Sequence, residues 1–363
     1  MRRLLRRTGS LAALLALTTT AVLAHRAFEE PASVPATPAL SLLAVGDVGD
    51  PPGAFAALER QRAVGRALAH EDRRARVDAL VFLGDNFYER GLAQADVAAR
   101  VRENLVAPYC RFVELAGPRS AEVRDACGVD DPRPRPPLYA VLGNHDVESD
   151  ESRALEAGEV PKFVSNWRLS PSAADVIELG SGVSLVQFDS NRLLREGDAG
   201  PLRDALRASR GPWRVLAAHH PIGTSRDAQG DGLGGYGERV LQAIREAGVP
   251  VHVMLAGHEH NLQLVRVQAP GPRLVVVSGA GSRPTRVRSE SRSRLFKYEG
   301  LGFARLDLVR DAFGERLSVT LYGVPRWTSL LGAPPRVLAR WSVVPGDGRL
   351  LREPIAVRSA RLW

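Results

Sequence analysis

The sequence predicts an α/β fold in which helices cover mixed β-sheets. Up to Leu255, short apolar runs alternate with stretches of helical periodicity, whereas after His260 the apolar runs follow one another without intervening helices. An alternating half followed by a strand-rich half is typical of an α/β sandwich with mixed sheets. The composition is that of a globular domain, because 44% of the 363 residues are hydrophobic and 25% are charged.

Each element is predicted from its own local pattern. Runs of apolar residues predict buried strands, and apolar residues recurring every three to four positions predict helices. The predicted strands are 41–45, 78–83, 138–142, 183–188, 214–217, 251–255, 262–267, 274–277, 302–308 and 316–322. The predicted helices are 53–70, 95–106, 201–208 and 236–247. Segment 110–137, rich in Pro, Arg and Asp, is predicted to be an inserted loop.

The chain begins with the pattern of a cleaved signal peptide, residues 1–24. Four of the first seven residues are arginines, an apolar run follows, and Val22-Leu23-Ala24 provides the small residues of a cleavage site. The apolar run is shorter than the ~20 residues that cross a bilayer, so a retained anchor is the less favoured alternative. We therefore expect an exported protein, periplasmic or secreted, with no stable membrane anchor after cleavage.

The rest of the chain is expected to hold one domain with flanking segments. A proline-rich linker occupies 25–40, the domain covers 41–325, and an extension at 326–363 has no assigned role. The net charge is +8, and a positive net charge is common among nucleic-acid-binding proteins. Here the basic residues are scattered and only two of 49 are lysines, which favours a bias of composition. We expect no nucleic-acid partner, although a positive surface attracts anionic substrates such as phosphate esters.

Cys110 and Cys127 are the only cysteines of the chain. In an exported protein they are expected to form a disulfide, which would close a loop of roughly 17 residues and contribute about 3 kcal/mol. The alternative is two unrelated buried thiols. Neither cysteine has the spacing of a metal ligand.

Five short segments carry most of the side chains that could bind a metal. Each follows an apolar, strand-like run, and together they contain five of the eight histidines of the chain. In chain order they are Gly46-Asp47-Val48-Gly49, Gly84-Asp85-Asn86-Phe87-Tyr88, Gly143-Asn144-His145-Asp146, Ala218-His219-His220-Pro221 and Gly257-His258-Glu259-His260.

The chemistry of these segments points to two metals in one site. The carboxyl ends of strands in an open α/β sheet meet along one edge, so residues far apart in sequence can converge there. Hard oxygen donors and imidazoles suit Fe, Zn and Mn, and a pair of such metals can clamp both oxygens of an in-line phosphoryl displacement. Asp85, directly after a strand and a glycine, is the expected bridging carboxylate. A metallohydrolase is the leading interpretation.

In their order and composition, the segments resemble the signature of calcineurin-like metallophosphoesterases. The tyrosine of Gly-Asp-Asn-Phe-Tyr narrows the resemblance to purple acid phosphatases. Together with Ala-His-His-Pro-Ile and Ser278-Gly279-Ala280-Gly281, it looks most like the small, tartrate-resistant type. The resemblance covers about residues 41 to 282. It implies a metallophosphoesterase four-layer α-β-β-α sandwich with two mixed β-sheets, and makes 41–325 the catalytic domain.

The resemblance also implies a role for each residue of the motifs. The first metal, expected to be Fe(III), would be bound by Asp47, Asp85, Tyr88 and His260. The second, expected to be Fe(II), Zn(II) or Mn(II), would be bound by Asp85, Asn144, His219 and His258. His145 would contact the phosphate or protonate the leaving group, and Asp146 would orient its ring.

Two positions differ from what relatives carry. Gly49 stands where broader relatives have a metal-binding histidine, which agrees with a tyrosine ligand at Tyr88. Ala218 replaces a common glycine, and His220 stands where an aromatic residue is common. We take His219 as the ligand and expect a possible substrate contact from His220.

The function implied is hydrolysis of phosphate monoesters at acidic pH by attack of a metal-bound hydroxide, with small phosphorylated molecules as substrates. Two alternatives remain open. One is a phosphodiesterase or nucleotide pyrophosphatase of the same fold. The other is an exported binding protein with a vestigial site, although every predicted ligand is present.

Overall fold

The computed structural model describes residues 37–50, 53, 55–128, 133–224, 235–287, 291–325, 333–346 and 348–355. The predicted signal peptide and most of the predicted linker lie outside these described residues. None of the helices within the described ranges has both the length and the apolar character needed to cross a bilayer.

Two mixed β-sheets form the centre of the described structure. The strands are β1 Leu40–Val45, β2 Ala79–Phe82, β3 Leu138–Ala140, β4 Trp167–Leu169, β5 Ala174–Glu178, β6 Val183–Phe188, β7 Trp213–Ala218, β8 Val253–Ala256, β9 Leu262–Arg266, β10 Leu274–Ser278, β11 Arg294–Tyr298, β12 Gly302–Asp311, β13 Gly314–Gly323, β14 Arg336–Val343 and β15 Leu350–Arg352. The first sheet has the order β15-β14-β13-β12-β1-β2-β3-β4, and the second has the order β11-β9-β10-β8-β7-β6-β5.

Helices lie on the outer faces of both sheets. They are α1 Phe55–Arg74, α2 Val97–Arg100, α3 Ala107–Tyr109, α4 Ser152–Gly158, α5 Val160–Phe163, α6 Ser190–Glu196, α7 Gly200–Ala208 and α8 Tyr236–Ala247. Between α2 and α3 the chain widens into a π-helix, Val101–Val106, so the single helix predicted for 95–106 is wound in two ways. Such π-helical turns occur often near functional sites.

Three apolar cores separate the four layers. Because side chains alternate along a strand, Leu42 packs between the two sheets, and its neighbour Leu43 packs outward with Leu68 of α1. On the far side, Met254 of β8 packs with Val240 of α8. The predicted four-layer α-β-β-α sandwich with two mixed sheets is confirmed.

Parallel pairing brings the carboxyl ends of several strands to one edge of each sheet. In the first sheet β1, β2 and β3 are parallel neighbours, with Val45 opposite Phe82 and Phe82 opposite Ala140. In the second sheet β6, β7 and β8 are parallel neighbours, with Ala218 opposite Ala256. The five motif segments follow five of these six strands, so the topology places them at one end of the sandwich.

The segment after residue 325 takes part in the first sheet. Its strand β14 pairs antiparallel with β13, with Val343 opposite Leu317, and β15 pairs with β14, with Arg352 opposite Trp341. Ala339 and Val343 are buried in the core between the sheets. The extension to which the sequence assigned no role therefore widens the sheet of the domain that precedes it.

Cys110 and Cys127 form a disulfide, with their Cα atoms 5.5 Å apart. It joins the end of α3 to the end of a short 3-10 turn, Arg124–Ala126, within the segment predicted to be an inserted loop. The alternative of two unrelated thiols is excluded by this pairing.

Candidate metal centre

The seven predicted metal ligands lie at the carboxyl ends of the central strands. Gly257 donates its backbone N–H to His219 O, and Asp47 donates its backbone N–H to Gly84 O, so hydrogen bonds join the loops that carry them. The ligands leave their strands as follows: Asp47 after β1, Asp85 and Tyr88 after β2, Asn144 after β3, His219 after β7, and His258 and His260 after β8.

Asp47, Tyr88 and His260 form what we call the first cluster. The Tyr88 hydroxyl is 3.2 Å from Asp47 Oδ1 and 3.1 Å from His260 Nε2, and the latter two atoms are 3.2 Å apart. Two ligands bound to one metal at 2.0–2.2 Å are themselves roughly 3 Å apart. His260 Nδ1 is 3.1 Å from the carbonyl oxygen of Arg283, which directs Nε2 toward the cluster.

Asn144, His219 and His258 form the second cluster. Asn144 Oδ1 lies 3.1 Å from His219 Nε2 and 3.1 Å from His258 Nδ1. His219 Nδ1 is 2.8 Å from the carbonyl oxygen of Leu83, so its Nε2 also points to the centre. Hydrogen bonding of one ring nitrogen to a backbone carbonyl is the usual support of a metal-binding histidine.

Asp85 connects the two clusters. Its Oδ1 is 3.4 Å from His219 Nε2, and its carboxylate also interacts with the hydroxyl of Tyr88. Asp47, Asp85 and His219 present ligand atoms within 4.8 Å of one another. Asp85 therefore lies where one carboxylate can reach both clusters.

The donor set fits a bound cation. Asp47, Asp85 and Tyr88 are at most 1% exposed. Burial raises the pKa of Tyr88 well above the usual range, and the charges of Asp47 and Asp85 raise it further. Buried acidic groups this close together can all be anions only beside a compensating positive charge. Fe, Zn or Mn would supply that charge and accept oxygen and imidazole donors.

Backbone strain marks the same residues. Asp47, Asp85 and His258 have φ values of 59°, 51° and 66°, in the left-handed region that non-glycine residues seldom adopt. Three of the four such residues in the described chain are predicted ligands. Strain of this kind, about 1–3 kcal/mol per residue, persists where surrounding structure holds a functional geometry.

His145 lies beside the first cluster and remains partly accessible, with 27% of its side chain exposed. Its Nδ1 is 2.6 Å from the carbonyl oxygen of Glu89 and 3.3 Å from Oε1 of Glu148. Since a carbonyl only accepts hydrogen bonds, Nδ1 carries a proton and Nε2 is the nitrogen left for a substrate. Its ring meets that of Tyr88 edge-on, with centroids 4.8 Å apart.

The predicted role of Asp146 in orienting the His145 ring stays a prediction, and the hydrogen bonds described for its carboxylate go to other groups. The two residues share a single 3-10 turn, His145–Val147, in which neighbouring side chains point in different directions. Asp146 is fully buried, and its carboxylate accepts hydrogen bonds at 2.7–3.2 Å from the backbone N–H groups of Gly143, Asn86 and Phe87 and from Asn86 Nδ2. It thus holds the Asn144 loop against the loop that carries Asp85 and Tyr88.

The comparison with known proteins agrees with this geometry. A model of the family described as calcineurin-like phosphoesterase matches residues 40–262, more than half of the chain, and this span contains all seven predicted ligands. The chain belongs to the calcineurin-like phosphoesterase family. It is therefore a phosphoesterase, and the family implies a dinuclear metal site.

Purple acid phosphatases are among the similar proteins. Purple acid phosphatase 4 of Arabidopsis thaliana is 26% identical over 314 residues, covering 78% of this chain and 80% of that protein. Tartrate-resistant acid phosphatase type 5 of Homo sapiens is 25% identical over 269 residues, covering 68% and 74%. The structure of purple acid phosphatase PPD1 from yellow lupin, Lupinus luteus, shares the fold with a TM-score of 0.54 and 16% identity, covering 84% of this chain and 53% of that one.

In this phosphoesterase, Gly49 has no room for a side chain. A Cβ placed there would lie 2.1 Å from the carbonyl oxygen of Asn86 and 2.3 Å from the nitrogen of Phe87. Tyr88 also donates its backbone N–H to the carbonyl oxygen of Gly49, and this hydrogen bond holds the two loops together. The loop that bears Tyr88 thus occupies the space that a histidine at position 49 would need.

We expect Gly49→Ala to lower the free energy of unfolding by about 3 kcal/mol, because the methyl group meets backbone atoms that cannot rotate away. It should also reduce phosphoesterase activity, since the displaced loop carries Tyr88. Urea unfolding and initial rates measure the two effects. The matched control is Gly158→Ala, where an added Cβ meets nothing within 4 Å. Equal stability of the two variants would contradict the close packing at Gly49.

His220 packs deep in the site of the phosphoesterase. It is 3% exposed, and its ring centroid is 4.4 Å from that of His258 and 5.0 Å from that of His219. Its Nδ1 is 2.8 Å from Ser190 Oγ. These contacts place His220 against the second cluster, and its predicted contact with substrate stays a prediction.

Two supporting residues of the phosphoesterase were absent from the sequence prediction. Arg100, 4% exposed, donates hydrogen bonds to the carbonyl oxygens of Gly49 and Tyr88. Glu156, fully buried on α4, accepts a hydrogen bond from Asn86 Nδ2 at 3.1 Å. Burial raises the pKa of Glu156 well above the usual range, with a further contribution from the nearby carboxylate of Asp146. Charged residues normally face solvent, and Glu156 also lies outside the helices predicted from the sequence, so neither residue was recognisable as part of the site.

Proposed function

We propose that the protein is an acid phosphatase that hydrolyses phosphate monoesters at a dinuclear Fe(III)–M(II) site, where M is Fe, Zn or Mn. The observation that carries the proposal is the place of Tyr88, whose hydroxyl lies within 3.2 Å of both other members of the first cluster. A phenolate is a hard, negatively charged donor, which favours Fe(III). The similarity to purple acid phosphatases supports the same assignment.

The proposed ligands follow from the two clusters. Asp47, Tyr88 and His260 would hold the first metal, Asn144, His219 and His258 the second, and Asp85 both. When bound, the metals would lower the pKa of water, polarise the phosphoryl oxygens and offset the charge that develops on them.

The protein's own groups would place the substrate and move a proton. His145 keeps its Nδ1–H on the carbonyl oxygen of Glu89, so Nε2 faces the site. With Nε2 also protonated, the imidazolium would hold a phosphate oxygen and give that Nε2 proton to the leaving oxygen. Because Nδ1 stays hydrogen-bonded to this carbonyl in both protonation states, the ring need not reorient during the reaction. Glu148, 43% exposed and 3.3 Å from Nδ1, would stabilise the imidazolium.

The substrates and location that we propose follow from charge and from the signal pattern. A net charge of +8 attracts small phosphorylated anions. The scattered arginines give no reason to propose a nucleic-acid partner. Export to the periplasm or the medium follows from the predicted signal peptide, and the disulfide is of the kind that persists there.

Rates on two chromogenic substrates test the proposed reaction. With metal-loaded protein we expect p-nitrophenyl phosphate to be hydrolysed faster than bis(p-nitrophenyl) phosphate, with the higher rates at acidic pH. A faster reaction with the diester would favour the alternative of a phosphodiesterase or nucleotide pyrophosphatase. If folded, metal-loaded protein hydrolyses neither substrate, both the phosphomonoesterase and the phosphodiesterase or nucleotide pyrophosphatase are contradicted. That result would favour a binding protein.

A further inference from the structure

Arg283 packs against the first cluster from a loop that follows β10. Its guanidinium carbon lies 4.8 Å from the centroid of the Tyr88 ring. Its carbonyl oxygen is 3.1 Å from His260 Nδ1, the contact that directs His260 toward the cluster. One residue thus touches two of the three members of the first cluster, one through its side chain and one through its backbone.

The Arg283 side chain is held over the ring by two carboxylates. Nε contacts Oδ1 of Asp50, which is fully buried, and Nη1 lies 2.7 Å from Oε1 of Glu89. Only 30% of the Arg283 side chain is exposed. Because both ion pairs fix the guanidinium, its charge stays at one place relative to the ring of Tyr88.

A fixed positive charge over an aromatic ring lowers the energy of the electrons in that ring. The attraction grows where solvent is excluded, and Tyr88 is 1% exposed. For a phenolate that binds a metal, the charge would make the oxygen a weaker electron donor. Neutral packing against the same ring would have no such electronic effect.

We propose that Arg283 is a positioning residue that tunes Tyr88 as an electron donor to the first metal. This inference rests on the proposed iron site. With Arg283 in place, the tyrosinate-to-iron charge transfer requires more energy, and the iron is reduced more easily than it would be without the charge.

Visible spectra and reductive titration of the iron-loaded protein test this role. We expect Arg283→Gln, which keeps a hydrogen-bond donor for Asp50, to move the charge-transfer band to longer wavelength. The same variant should lower the equilibrium constant for reduction of the iron by about tenfold. Arg283→Lys keeps the charge but not the planar stacking, so we expect a smaller shift in the same direction. The matched control is Arg286→Met, an exposed arginine of the same loop, for which we expect no shift.

The outcomes separate this inference from the proposed function. Suppose that the wild-type protein shows the charge-transfer band and that the band is unchanged in folded, iron-loaded Arg283→Gln and Arg283→Lys. This result overturns the role of Arg283 and leaves the proposed iron site intact. If Arg283→Gln does not fold, Arg283→Met, which also removes the charge, takes its place, and an unchanged band in folded, iron-loaded Arg283→Met overturns the role of Arg283. A wild-type protein that binds iron without the band contradicts the proposed function and this inference together.

Discussion

Asp85→Ala is expected to abolish hydrolysis of p-nitrophenyl phosphate and to reduce the metal content of the purified protein. Asp85 lies between the two clusters, 3.4 Å from His219 Nε2 and near enough to Tyr88 that its charge helps to raise the pKa of that hydroxyl. Loss of a residue that merely supports a ligand costs roughly 10- to 100-fold in affinity or activity. Removal of a carboxylate that would bind both metals should therefore reduce metal affinity or activity by more than about 100-fold.

Initial rates and metal content per chain are the measurements for Asp85→Ala. Asp175→Ala is the matched control, because this aspartate is exposed on β5, away from the clusters. Circular dichroism of both variants establishes that the fold is retained. Wild-type activity with two metals per chain in folded Asp85→Ala would show that the site is elsewhere.

Asp146→Ala is expected to lower the free energy of unfolding by about 3 kcal/mol or more. The substitution leaves three buried backbone N–H groups without their acceptor, and each such loss costs about 1–3 kcal/mol. Part of this cost is offset, because burial, together with the charge of Asp85, raises the pKa of Asp146 to about 6 and makes its own ionisation unfavourable. Activity should fall as well, since the loop bearing Asp85 and Tyr88 loses its support.

Urea unfolding of Asp146→Ala and Asp146→Asn distinguishes the two roles considered for Asp146. If the residue joins the loops, both variants lose stability, and Asp146→Asn, which keeps one acceptor oxygen, loses less. The control is Asp150→Ala, an exposed aspartate of the same segment. Unchanged stability with an altered pH profile of activity would instead favour the predicted role of orienting His145.

The raised pKa of Asp146 also predicts a pH dependence of stability in the metal-free protein. An aspartate has a pKa near 3.9 in the unfolded chain, and here it is raised to about 6 in the folded state. Between these values the folded state binds more protons, so the free energy of unfolding should fall as the pH rises from about 4 to 6. Chelator-treated wild-type protein should show this slope, and Asp146→Ala should show a smaller one.

The arrangement of the sheets was predictable where buried strands left clear apolar runs. Strands β1, β2 and β6 to β8 are fully or almost fully buried. Each is therefore a continuous run of mostly apolar residues, from which the strand was predicted. By contrast, β5 is half exposed along its length, and β14 and β15 carry arginines on their exposed sides. The apolar runs of these strands are only two or three residues long, so the strands are recognised from their partners in the sheet.

The metal-binding residues were predictable because each follows a strand within a short motif. Residue types and strand ends are both visible in the sequence, so Asp47, Asp85 and His219 could be placed together. The direction of a side chain within one turn is not visible, which is why the hydrogen bonds of Asp146 to the backbone were not predicted. Arg100 and Arg283 reach the site from distant segments, and only the tertiary structure brings them there.

The iron–tyrosinate site can be tested by metal analysis combined with a visible spectrum of the purified protein. We expect about two metals per chain, with iron among them, and a violet absorption from tyrosinate-to-iron charge transfer. In Tyr88→Phe the absorption should disappear. An active protein that is colourless and contains no iron would show that Tyr88 does not bind Fe(III) in this enzyme.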